Sequence, residues 1–163
     1  MNTTKRHAVA AVFGALLAAA GLTITRAHAE SPLDQVVGTL RAAHGHYAAR
    51  SASLTAADCS GLVSVAQTLA MGQAPHRLGN TTSLLAGRWP GAIPGATPAD
   101  EFVIGTNSAH MAASLDGVNV EARQSGEQFR VGADAASPFD RQFTRQYHID
   151  PTLLTAADSE AEQ

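Results

Sequence analysis

The chain has few of the residues that most often reveal a function. A single cysteine among 163 residues excludes an intrachain disulfide framework and any zinc site built on several cysteines. Charged residues make up 15% of the chain and hydrophobic residues 45%, which is typical of a globular protein and not of a disordered polyelectrolyte. A net charge of −3 leaves no general excess of basic residues, so no nucleic-acid partner is expected. The length predicts one domain.

Residues 1–29 have the pattern of a secretory signal peptide. A short basic start at Lys5 and Arg6 precedes an uncharged, largely apolar stretch over 8–25, and Ala27-His28-Ala29 offers a small-x-small cleavage site. We predict cleavage after Ala29, with an uncleaved N-terminal anchor as the alternative. Both readings predict an extracytoplasmic, secreted or wall-associated domain, and the first predicts no stable membrane span after cleavage.

The rest of the chain predicts an α+β domain over 30–150 with an acidic tail over 151–163. A capped start at Ser31-Pro32 predicts a helix to about residue 49, and Asp58 is the expected cap of a second helix from Cys59 to about Met71. The segment 73–99 is rich in proline and glycine and is expected to be irregular. We expect the order of helices first and antiparallel strands after.

Four strands are predicted in the second half of the chain, at 102–104, 110–115, 118–123 and 128–131. Asp116-Gly117 is a strong two-residue hairpin signal between the second and third of them. Beyond these strands, Phe139, Phe143 and Tyr147 recur every four residues. This spacing predicts a C-terminal helix that packs on the domain.

Cys59 is the first candidate for chemistry. After cleavage all eight cations would be arginine, against 14 acidic residues, for a net charge of −6, and Cys59 would be an unpaired thiol in an exported protein. At the start of a helix, the free amides and the macrodipole favour a thiolate and can stabilise an oxyanion. Small neighbours at Ser60 and Gly61 would leave room for a substrate. The alternative is a buried cysteine that only packs.

His110 is the histidine best placed to act as a base. Residues opposed across the Asp116-Gly117 turn share a face of the sheet, which puts His110 on the same face as Asn119 and Glu121. Glu121 is the diagonal neighbour of His110 and is expected to orient the imidazole, with Asn119 as the second choice. The alternative is that Glu121 pairs with Arg123 or Arg130 at the surface. The other histidines are interpreted as surface or packing residues: His44, His46, His76 and His148.

The sequence Asp58-Cys59-Ser60-Gly61-Leu62-Val63 resembles the nucleophile motif of the NlpC-type cell-wall cysteine peptidases, a papain-like family. Tyr47 matches the upstream tyrosine of that family, and 77–82 is a loose match to its Arg-Thr-Ser segment. The segment 98–104 is similar to its Pro-Gly-Asp entry into the first strand. Including the strand that His110 opens, the resemblance covers about residues 35–132. Three features differ: Ala109 replaces a common glycine, Glu121 replaces a common histidine, and the family's Gly-Gly before the cysteine is absent.

This resemblance implies a papain-like fold and a thiol protease, a hydrolase that cleaves peptidoglycan stem peptides between D-glutamate and a diamino acid. Cys59 would be the nucleophile, His110 the base, Glu121 the orienting group and Tyr47 an oxyanion donor. Asp58, Ser60 and Trp89 are the expected substrate-binding residues, although Trp89 is also interpreted as a core residue. The other functions that we consider are an inactive wall-peptide-binding module and an acyl or amide transferase. We expect a monomer with no cofactor and no metal site.

Overall fold

The computed structural model describes residues 31–124 and 127–154. The predicted signal peptide over 1–29 and residues 155–163 of the predicted tail lie outside the described residues. Within the described ranges, no helix is both long enough and apolar enough to cross a membrane. Leu154, which we assigned to the tail, is buried and follows a short 3-10 helix at Pro151–Leu153, so the packed domain extends beyond residue 150.

The first helix, α1, spans Pro32–Ala43 and is shorter than predicted. Ser31 caps it in a capping box with Asp34, as the sequence indicates. The predicted end near residue 49 is wrong, because His44 adopts a left-handed conformation (φ 46°) that ends the helix. Two short strands follow, β1 at His46–Tyr47 and β2 at Ala56–Ala57, which pair in parallel.

The second helix, α2, spans Cys59–Ala70 and confirms the predicted start and end within one residue. The region that we expected to be irregular contains one more helix, α3 at Thr81–Leu85, and one short strand, β3 at Ala92–Pro94. Asn80 begins α3 with its own capping box, a local signal that the interpretation of 73–99 missed.

The main sheet consists of β3 and five further strands: β4 at Phe102–Thr106, β5 at Met111–Leu115, β6 at Val118–Glu121, β7 at Arg130–Val131 and β8 at Arg145–Ile149. All six are antiparallel to their neighbours, in the order β3-β8-β4-β5-β6-β7. The two-residue hairpin is confirmed, since Ala113 pairs with Val120 and Leu115 with Val118. Asp116 (φ 45°) and Gly117 (φ 79°) both have the positive φ that this turn requires.

The predicted C-terminal helix is wrong, because its last part is strand β8. This strand lies between β3 and β4 and forms a ladder with each of them. Phe143 and Tyr147 are buried, as the predicted helix would also require, but Phe139 is 40% exposed. Residues four apart also share one face of a strand, so this spacing does not distinguish a strand from a helix.

The core lies between the helices and the sheet. Helix α2 is buried over most of its surface and packs against β5 and β6, while α1 packs against α2. Alternate residues of β5, Met111, Ala113 and Leu115, contribute to this core. The observed class is α+β, as predicted. This packing brings the first turn of α2 next to the first residue of β5.

Candidate functional site

Cys59 is the first residue of α2 and is half-buried. Asp58 caps the helix, and its Oδ1 accepts a hydrogen bond of 2.7 Å from the amide of Gly61. The extended backbone of Asp58 and its preference for the cap position fix where the helix begins, and therefore where the sulfur lies.

Arg77 ties this helix start to two other segments. Its Nη2 lies 2.9 Å from Asp58 Oδ2 and donates to the carbonyl of Ser51 at 2.6 Å, while its Nη1 donates to Ser60 Oγ at 2.8 Å. Burial alone would raise the pKa of Asp58, but the Gly61 amide, Arg77 and Ser60 together hold that pKa below its usual value. The cap is therefore an anion at neutral pH that is neutralised within the protein.

The prediction that Ser60 and Gly61 leave room for a substrate needs correction. Ser60 is buried, and its hydroxyl donates to Asp58 Oδ1. A Cβ on Gly61 would stand 2.0 Å from the carbonyl oxygen of Ser51, so this glycine is needed for a close approach of the backbone. Asp58 and Ser60 do line a cleft of about 460 Å³, so their contact with a substrate stays a prediction.

The thiol of Cys59 is not the stabilised thiolate that its helix position predicts. Burial raises the pKa of Cys59, and the charge of Asp58 raises it further, while the amide of Met111 and the amides of Ser60 and Cys59 act in the opposite direction. The net direction is upward, so the resting thiol is protonated at neutral pH. Chemistry at this sulfur therefore requires a base that removes its proton.

Tyr47 lies close to the thiol, as the resemblance implies. The ladder between β1 and β2 pairs Tyr47 with Ala57, two residues before Cys59. Burial raises the pKa of Tyr47, and the nearby Cys59 and Asp58 raise it further, so the hydroxyl keeps its proton and remains a hydrogen-bond donor.

The predicted contact between His110 and Glu121 is present. His110 Nε2 lies 2.8 Å from Glu121 Oε1, as the diagonal arrangement across the hairpin predicts. The side chain of Glu121 is only 2% exposed and that of His110 is 20% exposed. With Nε2 bonded to the carboxylate, Nδ1 makes no hydrogen bond within the described residues and is the nitrogen left for proton transfer.

The alternatives for Glu121 are resolved in part. Arg123 Nε lies 3.8 Å from Glu121 Oε1, but Arg130 pairs with Glu127 instead. Asn119 pairs with Ser114 in the ladder, and within the described chain its side chain makes no hydrogen bond to His110. Glu121 is therefore the group that orients the imidazole in this structure.

Cys59 and His110 come close through the backbone. The amide of Met111, the residue after His110, lies near enough to the Cys59 sulfur to favour its anionic form. No hydrogen bond joins the sulfur to the imidazole directly in the described part of the chain. Catalytic hydrogen bonds are often long before a substrate binds, and they shorten in the substrate complex.

Two residues next to His110 were missed by the sequence analysis. Asn107 Oδ1 accepts hydrogen bonds of 2.8 Å from the amides of Ala109 and His110 and so shapes the turn before β5. Phe143 stacks on the imidazole with 5.9 Å between the ring centroids and 24° between the planes. An asparagine just before a strand is a recognisable turn signal, but nothing in the sequence connects Phe143 to His110.

Trp89 occupies the core, the second of its two interpretations. It is 4% exposed, and its Nε1 donates to Gln67 Oε1 at 2.7 Å, so its ring is not available to stack on a sugar. The other histidines lie elsewhere: His76 and His148 bond to the carbonyls of Ala74 and Gly95. Over 31–124 and 127–154, no group of His, Cys, Asp or Glu is arranged to hold a metal ion.

Comparison with known proteins adds no relative. No protein-family model, no curated protein and no solved structure was found that matches the chain.

Proposed function

We propose that this protein is an exported cysteine hydrolase with a papain-like fold that cleaves amide bonds in peptidoglycan stem peptides. One observation carries the proposal: a thiol at a helix start lies beside the amide of Met111, and Nε2 of the preceding residue, His110, is held by a buried carboxylate. A nucleophile, a base and a group that orients the base are the components that acyl transfer from an amide requires. The nucleophile motif at 58–63 and the signal-peptide pattern support the choice of wall peptides.

In the proposed reaction, the Cys59 sulfur attacks the amide carbon while its proton passes to His110 Nδ1. The C–S bond forms and the carbonyl oxygen becomes an anion, which would accept hydrogen bonds from the amide of Cys59 and the hydroxyl of Tyr47. The C–N bond then breaks, and the leaving amine takes the proton from His110. Water then adds to the thioester with His110 again as base, the C–S bond breaks to release the carboxylic acid product, and His110 returns the proton to the Cys59 sulfur.

The raised pKa of Cys59 favours one form of this mechanism. Because the thiol is protonated at rest, His110 acts as a general base during attack rather than as the cation of a standing ion pair. Glu121 stabilises the positive charge that His110 gains in this step, and the burial of its carboxylate strengthens this interaction.

The direct test compares wild-type protein with Cys59→Ala on purified peptidoglycan. Wild type is expected to release stem-peptide fragments with a newly freed diamino-acid amine, and the variant none, while both unfold at similar temperatures. A Glu101→Gln variant, at an exposed position, is the matched control and is expected to retain full activity. Equal release by Cys59→Ala would end the proposal. An added amine acceptor that appears in the products would identify a transferase instead.

A wall-peptide-binding module without catalysis is the second candidate. The burial that raises the pKa of Cys59 favours it, because a protonated thiol is a poor nucleophile without an effective base. This function predicts that wild type and Cys59→Ala bind purified stem peptides equally well and that neither releases fragments.

A further inference from the structure

We infer that the segment 135–143, between β7 and β8, is a positioning element that holds the imidazole of His110 and its carboxylate in place, with Phe143 as its main contact. This inference rests on the proposed function, since it concerns how the proposed base is held. The contact of Phe143 is with the imidazole of His110, so its role is to position that ring.

The segment reaches the His110–Glu121 pair at two points. The amide of Ala136 donates to Glu121 Oε2 at 3.1 Å, which leaves Oε1 to accept from His110 Nε2. The ring of Phe143, itself 5% exposed, stacks on the imidazole. The Ala136 amide fixes the carboxylate of Glu121, and the Phe143 ring fixes the plane of the imidazole. The segment therefore holds both partners of the His110–Glu121 hydrogen bond.

A third contact joins the same segment to the backbone of His110. Asn107 accepts from the His110 amide through Oδ1 and donates to the carbonyl of Gln142 through Nδ2 at 2.9 Å. One amide side chain therefore links the turn before β5 to the residue before Phe143. This link fixes the position of Phe143 relative to the turn before β5.

The segment is anchored by a close approach to the sheet. A Cβ on Gly105 would stand 2.4 Å from the carbonyl oxygen of Pro138, so only a glycine admits the segment at this distance. Gln146 Nε2 also donates to the Pro138 carbonyl at 3.3 Å. The segment is thus fixed at Ala136, Pro138, Gln142 and Phe143, which is what a rigid support for a catalytic group requires.

A stacked apolar ring has two effects on an imidazole that gains a proton. It excludes water from the Nε2–Glu121 hydrogen bond, which strengthens that bond. It also restricts rotation of the imidazole, so that Nδ1 keeps one direction and the Nε2–H tautomer is retained. Both effects are lost when the ring is replaced by an aliphatic side chain of different shape.

The test measures the imidazole directly, without a substrate. In NMR spectra, wild type is expected to show a slowly exchanging His110 Nε2–H proton and ¹⁵N shifts of a single neutral tautomer. Phe143→Leu is expected to lose that proton signal and to give a mixture of tautomers. Phe143→Tyr retains a stacking ring and should preserve both signatures. Phe139→Leu removes an exposed ring from the same segment and is the matched control.

Activity gives the second measurement. We expect kcat for stem-peptide release to fall about tenfold or more in Phe143→Leu with KM little changed, because misplacing a catalytic group slows the chemical step. Asn107→Asp keeps the acceptor for the His110 amide but loses the donor to Gln142, and we expect a smaller fall in kcat. It keeps the proposal testable if Phe143→Leu folds poorly.

The outcomes separate this inference from the proposed function. If Phe143→Leu leaves the Nε2–H signal and the tautomer unchanged, or if Phe139→Leu alters them equally, the positioning role is wrong. If the NMR signatures change as expected while wild type releases no stem peptides, the positioning role stands and the proposed function fails.

Discussion

The two sides of the candidate site are built in different ways. The thiol side depends on charge: Asp58 is the cap, Arg77 is its counterion, and both are hydrogen-bonded to Ser60. The imidazole side depends on burial, with a nearly inaccessible Glu121 beneath His110 and the ring of Phe143 stacked on it. The difference teaches that the nucleophile is placed by a charged helix cap, whereas the base is placed by a buried carboxylate across the hairpin and by the stacked ring of Phe143.

The largest effect is expected from the imidazole side. Glu121→Gln keeps the size of the side chain but can present an amide donor to His110 Nε2, which favours the wrong tautomer. We expect stem-peptide release to fall by about 10²–10⁴-fold. The measurement is the rate of release from purified peptidoglycan, with the folded fraction checked by circular dichroism. Glu101→Gln serves again as control, and a rate within a factor of two of wild type for Glu121→Gln would contradict the role of the carboxylate.

A glycine substitution tests how tightly the thiol side is packed. In Gly61→Ala the new methyl group meets the Ser51 carbonyl, and we expect a loss of about 2–3 kcal/mol in the free energy of unfolding. Gly38→Ala on α1 is the matched control, since a Cβ there has no atom of the described residues within 4 Å. That variant should gain about 0.5–1 kcal/mol. Urea denaturation measures both, and equal effects would show that the backbone approach at Gly61 is unimportant.

The charge network predicts a pH dependence of stability. The pKa of Asp58 is lowered in the folded state, so its contribution is fully present above the unfolded value near 3.8 and is lost as the pH falls through the lowered value. Asp58→Asn is therefore expected to cost about 2 kcal/mol at pH 7 and progressively less below about pH 4. Urea denaturation at pH 7 and pH 3 measures this. A constant difference between the variant and wild type would contradict the assignment.

The smallest effect concerns the reactivity of the thiol. The charge of Asp58 contributes to the raised pKa of Cys59, so Asp58→Asn should shift the pH midpoint of Cys59 alkylation to lower pH. Asp34→Asn in the first turn of α1 is the control and should leave the midpoint unchanged. A midpoint that rises in Asp58→Asn would mean that the cap supports the thiolate rather than opposing it.

The sequence was informative where the structure depends on local signals. The cap at Asp58, the two-residue hairpin and the resulting contact of His110 with Glu121 were predicted from short patterns and are present. The direction of the Cys59 pKa was predicted wrongly, because the helix start was considered without the burial that opposes it. Local sequence carries no measure of how deeply a side chain is covered.

Long-range pairing explains the larger error. Phe143 and Tyr147 were assigned to a helix because their spacing fits one, yet Tyr147 belongs to a strand inserted between β3 and β4. The spacing does not distinguish the two conformations, and the partner strands are far away in sequence. The same error left the contact between Phe143 and His110 undetected, because it joins residues that are far apart in sequence.

The central claim is that His110 removes the proton from Cys59. The most direct measurement is the rate at which iodoacetamide alkylates Cys59 across pH 5–10 in wild type and in His110→Ala, with no wall substrate present. Wild type is predicted to react measurably near neutral pH. The variant is predicted to lose that reactivity and to react only at alkaline pH, because its protonated thiol has no base to remove the proton. Superimposable profiles would show that the imidazole does not act on the sulfur and would contradict the account.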